Sequence, residues 1–193
     1  SKFYSEIKNK NYKWVKKTNF LSIIAGAKTK TLKTVTANSN IIRAMPNTPA
    51  LVGKSLTGLY FPTDIPSNTR KIILKILSEI GEIVVLKNEN QLDLITAISG
   101  SGPAYFYMFM ELFESTALKI GLSSKISNKV IMQTISGAML LLTSSKTSAK
   151  ELRKNVTSKG GTTEAAIKIF DDNLFDQIFF TAVNNAKNRS KKL

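Results

Sequence analysis

Two short clusters of hydroxyls and glycines are the residues of this sequence best suited to chemistry. They are Ser99-Gly100-Ser101-Gly102-Pro103-Ala104 and Ser158-Lys159-Gly160-Gly161-Thr162-Thr163. Each leads directly into an apolar stretch of helical period, so each sets backbone N–H groups at the start of a helix, where a small anion can be held. In the first cluster the glycines permit positive φ and close backbone approach, and Pro103 suits the first position of a restarted helix. In the second, consecutive N–H groups and three hydroxyls could hold a carboxylate, which a helix N-terminus favours by a few tenths to about 1 kcal/mol when exposed. Each cluster also has a plainer reading, a serine-capped kink for the first and an ordinary capped loop for the second. The second is not a P-loop, because it lacks a preceding strand and the Gly-Lys-Ser/Thr order.

Composition narrows the chemistry further. The 193 residues contain no Cys and no His, which removes disulfides, thiolate nucleophiles, imidazole bases and the common zinc ligand sets; no metal site is expected. What remains is hydroxyls, backbone, carboxylates, lysines or a cofactor. The net charge of +15 raises the question of nucleic acid. Yet basic residues are scattered from Lys2 to Lys192, and no basic cluster is interleaved with stacking aromatics. A nucleic-acid-binding protein therefore rests on charge alone. No apolar run approaches the ~20 residues of a bilayer span, and the first residues do not read as a cleavable signal peptide, so a cytoplasmic location is the default expectation.

The elements that must position these clusters follow from hydrophobic period. The first eighteen residues, rich in lysine, carry at best a short surface helix. Residues 20–26 read as a buried strand ending at Gly26, residues 29–35 as a short helix and residues 41–45 as a second strand, an order that implies parallel pairing. Pro46-Asn47-Thr48-Pro49 forms a rigid loop at the end of that second strand, the edge at which open α/β sheets place ligands. A strand over 56–61, a helix over 68–80 with Ile72, Ile73, Ile76, Leu77 and Ile80 on one face, a cap at Gly81 and a strand over 82–86 complete this part. From Gln91 onward the period is helical throughout. The helix over 105–120 is apolar around nearly its whole axis and must be covered on all sides, which predicts an intertwined homodimer or higher oligomer. Further helices follow over 126–142, 151–156, 163–170 and 175–186. The chain divides into an α/β portion, residues 1–88, and an all-helical portion, residues 89–193.

Four strings, taken together, resemble pyrroline-5-carboxylate reductase: Ile23-Ile24-Ala25-Gly26, Arg43-Ala44-Met45-Pro46-Asn47-Thr48-Pro49-Ala50, Thr96-Ala97-Ile98-Ser99-Gly100-Ser101-Gly102-Pro103-Ala104-Tyr105 and Thr157-Ser158-Lys159-Gly160-Gly161-Thr162-Thr163. They occur in the family's order and at its spacing, over nearly the whole chain from about residue 19. The resemblance implies an α/β remnant of a Rossmann-type nucleotide-binding domain followed by an all-α dimerisation domain. It implies hydride delivery from NADPH or NADH to the C=N bond of 1-pyrroline-5-carboxylate, giving L-proline. Ser158, Gly160, Gly161 and Thr162 would grip the substrate carboxylate, and Thr163, the implied catalytic residue, would hydrogen-bond near the imine nitrogen. Ser99, Gly100, Ser101 and Gly102 would wall the same pocket, while Ala25, Gly26, Met45, Pro46, Asn47 and Thr48 would lie along the nicotinamide.

The sequence departs from the family's pattern in three places. It carries no G-x-G-x-x-G turn for the cofactor pyrophosphate, so the chain reads as an N-terminally truncated member whose missing half a separate chain would supply. Lys159 stands where the family usually has proline, and residues 144–148 lack the acidic residue and His-Pro pair expected there. An apolar sheet edge around residues 20–25 is a further expectation. The alternative reading is a catalytically inactive dimerisation module of the same family.

Overall fold

A computed structural model describes residues 18–36 and 40–193; the lysine-rich stretch expected to form a surface helix lies outside the described residues. Four strands form one sheet in sequence order: β1 (Phe20–Ser22), β2 (Ile41–Met45), β3 (Ser55–Tyr60) and β4 (Gly81–Val85). Helix α1 (Thr29–Thr36) crosses from β1 to β2, which pair parallel, Leu21 opposite Ile42, as the strand–helix–strand order requires. Only residues 46–54, Pro46-Asn47, a 3-10 turn over Thr48–Val52 and Gly53-Lys54, separate β2 from β3. A link this short cannot cross over, so β3 returns antiparallel, with Ala44 opposite Leu59. Helix α2 (Ser67–Ser78) then restores parallel pairing between β3 and β4.

Alternation along β2 loads both faces of the sheet. Ile42 and Ala44 join Leu59, Phe61, Ile65 and Leu77 in one core, against which Ile73 and Ile80 pack. Ile41 points the other way, into a second cluster with Ala27 and Leu32. Ile72 and Ile76, expected on the buried face of α2, are instead exposed. A twelve-residue helix lying on one sheet face buries only a narrow stripe, and Ile73 and Leu77 fill it.

Two further expectations are corrected here. Strand β1 ends at Ser22, and Ile23 is 59% exposed. The Ser22 hydroxyl accepts the Ile24 N–H at 3.4 Å, a local turn that takes the chain off the ladder. Gly81 does not cap α2, whose C-cap is Glu79; it is the first residue of β4, at φ +142°. A Cβ there would fall on the Ser55 backbone, so the glycine is required by the approach of β3.

After β4 the described chain is helical: α3 (Gln91–Ile95), a π-helical turn (Thr96–Gly100), α4 (Gly102–Lys119), α5 (Ser124–Ser144), α6 (Ala149–Asn155), α7 (Thr162–Asp172) and α8 (Phe175–Ser190). The described residues up to Pro103 form one compact unit with Ala182–Leu193, and Ala104–Thr181 form another. Within the second unit, rings of α4 meet rings of α8, Tyr105 on Phe179 at 6.1 Å and Phe109 on Phe175 at 6.0 Å between centroids. Its apolar side chains are otherwise poorly covered: Ala117 and Ile131 are buried, while Phe106, Phe113, Leu140 and Phe180 are more than half exposed.

Candidate functional site

The loop after β2 is built around Asn47. Its Oδ1 accepts the Leu56 N–H at 3.1 Å, and its Nδ2 donates to the Ser99 carbonyl at 3.2 Å and to the Ser99 hydroxyl at 3.0 Å. The Asn47 N–H donates to the Ser55 hydroxyl at 3.3 Å, which contacts Thr57 at 3.3 Å. One amide side chain thus uses both ends to join the β2 loop, β3 and the helix carrying the first small-residue cluster. Met45, Pro46 and Asn47 are half-buried, while Thr48 opens the 3-10 turn and is exposed.

The first cluster differs from its expected form. Among the described glycines positive φ occurs at Gly26, Gly53, Gly81, Gly121 and Gly160, and neither Gly100 nor Gly102 belongs to that set. The helix is widened rather than broken: the Ser101 N–H donates to the Thr96 carbonyl at 2.8 Å, a π-type bond, before α4 begins at Gly102. Such turns are frequent at functional positions. Gly100 has a steric role instead, since a Cβ there would lie 3.1 Å from the Met45 Cε. The structure therefore brings Met45 and Asn47 together with Ser99 and Gly100.

The turn after β1 lies on the same sheet edge, because β1 and β2 run parallel. Ala25 and Gly26 are half-buried there, with Gly26 at φ +73°. A Cβ on Gly26 would come within 2.6 Å of both Leu193 Cβ and the Ser190 carbonyl oxygen, so this glycine is already required by the chain's own packing. Two polar assemblies fix the turn, and sequence reasoning missed both. Arg43, 3% exposed, donates from Nη2 to the Ile24 carbonyl at 3.3 Å and from Nη1 to Glu89 at 3.1 Å. Glu89 also accepts the N–H and hydroxyl of Thr29 at 2.6 and 3.1 Å, capping α1. Nearby, Asp93, 1% exposed, takes Lys28 at 3.1 Å and the Ser190 hydroxyl at 2.9 Å. An arginine inside an otherwise apolar strand, Ile41-Ile42-Arg43-Ala44-Met45, was the available signal, because a buried guanidinium demands a carboxylate.

The second cluster, in the helical unit, precedes α7. Gly160 adopts φ +74°, and Gly161 is the N-cap. Ser158 sits against this end: a Cβ on Gly161 would lie 2.6 Å from the Ser158 Oγ. The Gly161 N–H turns back on the Ser158 carbonyl at 3.0 Å, and the Gly160 N–H donates to Glu164 Oε2 at 2.7 Å. Ser158, Gly160 and Thr162 are exposed, with Thr163 half-buried, so the loop lies open in a single chain. Among the described residues no cluster of acidic side chains could hold a metal ion, and no helix is long and apolar enough to cross a membrane.

Comparison with known proteins places this arrangement. A family model described as pyrroline-5-carboxylate reductase dimerisation matches residues 89–193. Pyrroline-5-carboxylate reductase of Haemophilus influenzae is 37% identical over 175 residues, 90% of this chain and 65% of that protein. The Pseudomonas aeruginosa enzyme of the same name is 40% identical over 79% of this chain and 56% of its own length. The chain thus spans less than two thirds of these relatives. The crystal structure of Plasmodium falciparum pyrroline carboxylate reductase with NADP bound superposes with a TM-score of 0.88 at 30% identity, covering 98% of this chain and 75% of that one. Strings, sheet, helical region and these likenesses agree: the chain belongs to the pyrroline-5-carboxylate reductase family.

Proposed function

We propose that the protein acts in the reduction of 1-pyrroline-5-carboxylate to L-proline with NADPH or NADH. The observation that carries this reading is the Asn47–Ser99 junction, which fixes the loop assigned to the cofactor relative to the wall assigned to the substrate. A reaction that only moves a hydride between two bound rings needs such mutual orientation more than it needs acid–base side chains. The sheet edge carrying Ala25, Gly26, Met45, Pro46, Asn47 and Thr48 fits a flat, uncharged nicotinamide, being formed by small or half-buried residues at strand C-termini.

When bound, the nicotinamide supplies the hydride, and the chain supplies position. Ser158, Gly160, Gly161 and Thr162 hold the carboxylate of the cyclic acid at the start of α7, where N–H groups and helix polarity favour negative charge. Thr163, on the same first turn, is the residue to hydrogen-bond near the imine nitrogen, which takes a proton from solvent and keeps it when hydride reaches the ring carbon. Ser99, Gly100, Ser101 and Gly102 are assigned to the substrate's wall on the strength of the family resemblance. The exposed apolar helices of the second unit are covered by another copy of the chain, as a homodimer or larger assembly, supported by the family model's description.

Loss of NADPH absorbance on addition of 1-pyrroline-5-carboxylate to the purified protein supplied with a G-x-G-x-x-G nucleotide-binding portion, with one L-proline formed per NADPH consumed, is the expected result. Absence of turnover even after a G-x-G-x-x-G nucleotide-binding portion is supplied would overturn the enzymatic reading. That failure would favour the second reading, a catalytically inactive dimerisation module of the same family, whereas turnover without the added portion would show that a G-x-G-x-x-G turn is dispensable.

A further inference from the structure

The loop before α7 already contains a carboxylate. Glu164 Oε2 accepts the Gly160 N–H at 2.7 Å, a charge-assisted bond at the positive end of an eleven-residue helix. This is the position an incoming acid would take if the loop binds substrate as proposed above.

The contact differs from the helix-capping arrangement found elsewhere in the chain. At α6, Ser148 and Glu151 form a reciprocal box: the hydroxyl accepts the Glu151 N–H at 3.2 Å and the carboxylate accepts the Ser148 N–H at 3.0 Å. At α7 the N-cap is Gly161, which has no side chain to reciprocate. The Glu164 carboxylate reaches past it to the amide of the preceding residue, held at φ +74°. Glu164 is exposed, so the side chain can leave for solvent without disturbing any packing.

We infer that Glu164 is an internal stand-in for the substrate carboxylate: it occupies the Gly160 amide in the ligand-free protein and is displaced when the acid binds, so that it sets the affinity of this loop for carboxylates. The inference rests on the assignment of residues 158–163 to the substrate.

Two substitutions separate competition from capping. Glu164→Gln keeps an oxygen that can accept the Gly160 N–H but removes the charge, and Glu164→Ala removes both. L-Proline and its uncharged counterpart L-prolinamide are titrated into the full chain and both variants, followed by calorimetry and by the amide resonances of residues 158–163. Competition predicts that L-proline binds at least about threefold more tightly to both variants, with L-prolinamide unchanged and the thermal midpoint of Glu164→Gln as in the parent. Unchanged L-proline affinity in Glu164→Gln with a loss in Glu164→Ala overturns the inference in favour of a plain helix cap, and an equal gain for L-prolinamide overturns it as well. Equal L-proline affinity in all three proteins removes the role of Glu164 but leaves the substrate loop standing. No movement of the 158–163 resonances in any of them overturns the substrate assignment and the inference together.

Discussion

Asn47 donates a hydrogen bond of 3.0 Å to the hydroxyl of Ser99, fifty-two residues further along the chain, while its other amide atom holds the backbone of β3. Replacing it by alanine strands the Leu56 N–H and both Ser99 acceptors, at a cost of about 1–3 kcal/mol in a part-buried setting. Asn47→Asp keeps the acceptor for Leu56 but loses the donation to Ser99 and sets a carboxylate oxygen against the Ser99 carbonyl. We expect urea midpoints to fall for Asn47→Ala more than for Asn47→Asp, and turnover to fall about tenfold or more in both. A normal rate in Asn47→Asp would show that the junction is structural only.

Arg43 and Glu89 form a nearly enclosed pair, with side chains 4% and 18% exposed. Removing Glu89 leaves a buried guanidinium without its counter-charge and uncaps α1 at Thr29. Glu89→Ala should cost about 3–5 kcal/mol, measured by chemical denaturation. The double change Arg43→Met with Glu89→Leu should recover most of it, because no orphaned charge remains. Failure of the double change to recover stability would mean that the hold of Arg43 on the Ile24 carbonyl matters more than the pair.

Three glycines grade a steric prediction. Gly81→Ala combines φ +142° with a Cβ on the Ser55 backbone, and should abolish cooperative folding. Gly58→Ala meets the Ile95 Cγ2 at 2.8 Å, an overpacking of about 1–3 kcal/mol. Gly100→Ala meets only the flexible end of Met45 at 3.1 Å and should cost less than about 1 kcal/mol. Thermal melts of the three variants should fall in that order.

The Ser148 hydroxyl and backbone N–H donate to Glu151 and hold its carboxyl below the usual carboxylate range. A carboxyl depressed in the folded state stabilises that state above its ordinary titration range, and the benefit is lost as pH falls through the lowered value. Glu151→Gln should therefore melt below the parent at neutral pH, with the gap closing as pH falls through the lowered titration of Glu151.

Between Ala104 and Thr181 the buried apolar side chains are Ala117 and Ile131, while Phe106 and Phe113 stand 63% and 57% exposed. So much uncovered apolar surface calls for a second copy. Sedimentation should give a dimer or larger species at micromolar concentration, and the paired change Phe106→Asp with Phe113→Asp should give a smaller species whose sheet remains folded. A monomeric parent would overturn the oligomer.

Much of the fold was legible because period and punctuation act locally. Ile41-Ile42 ahead of Pro46, and the stretch 56–61 between Gly53 and Pro62, marked β2 and β3 to within a residue, and the apolar helical period after Gln91 marked the helices. The strand length at residues 20–26 was misjudged because Ile23 and Ile24 have strand propensity, whereas the Ser22 turn and the pull of Arg43 on Ile24 decide where the chain goes. The candidate loops were visible as strings, but their internal partners were not. Asn47 to Ser99, Arg43 to Glu89 and Asp93 to Ser190 each join residues far apart in sequence, and no spacing rule connects them.

The sequence by itself determined the family, the absence of thiol and imidazole chemistry, and the positions of the two hydroxyl-and-glycine clusters, since these depend on residue types and short-range order. The tertiary structure alone decided that the first cluster is a π turn packed on Met45, that Gly26 is crowded by Ser190 and Leu193, and that Asn47 ties the β2 loop to Ser99. Each of these depends on which groups meet in space, and a buried polar or sterically crowded group takes whatever partner the fold brings within reach.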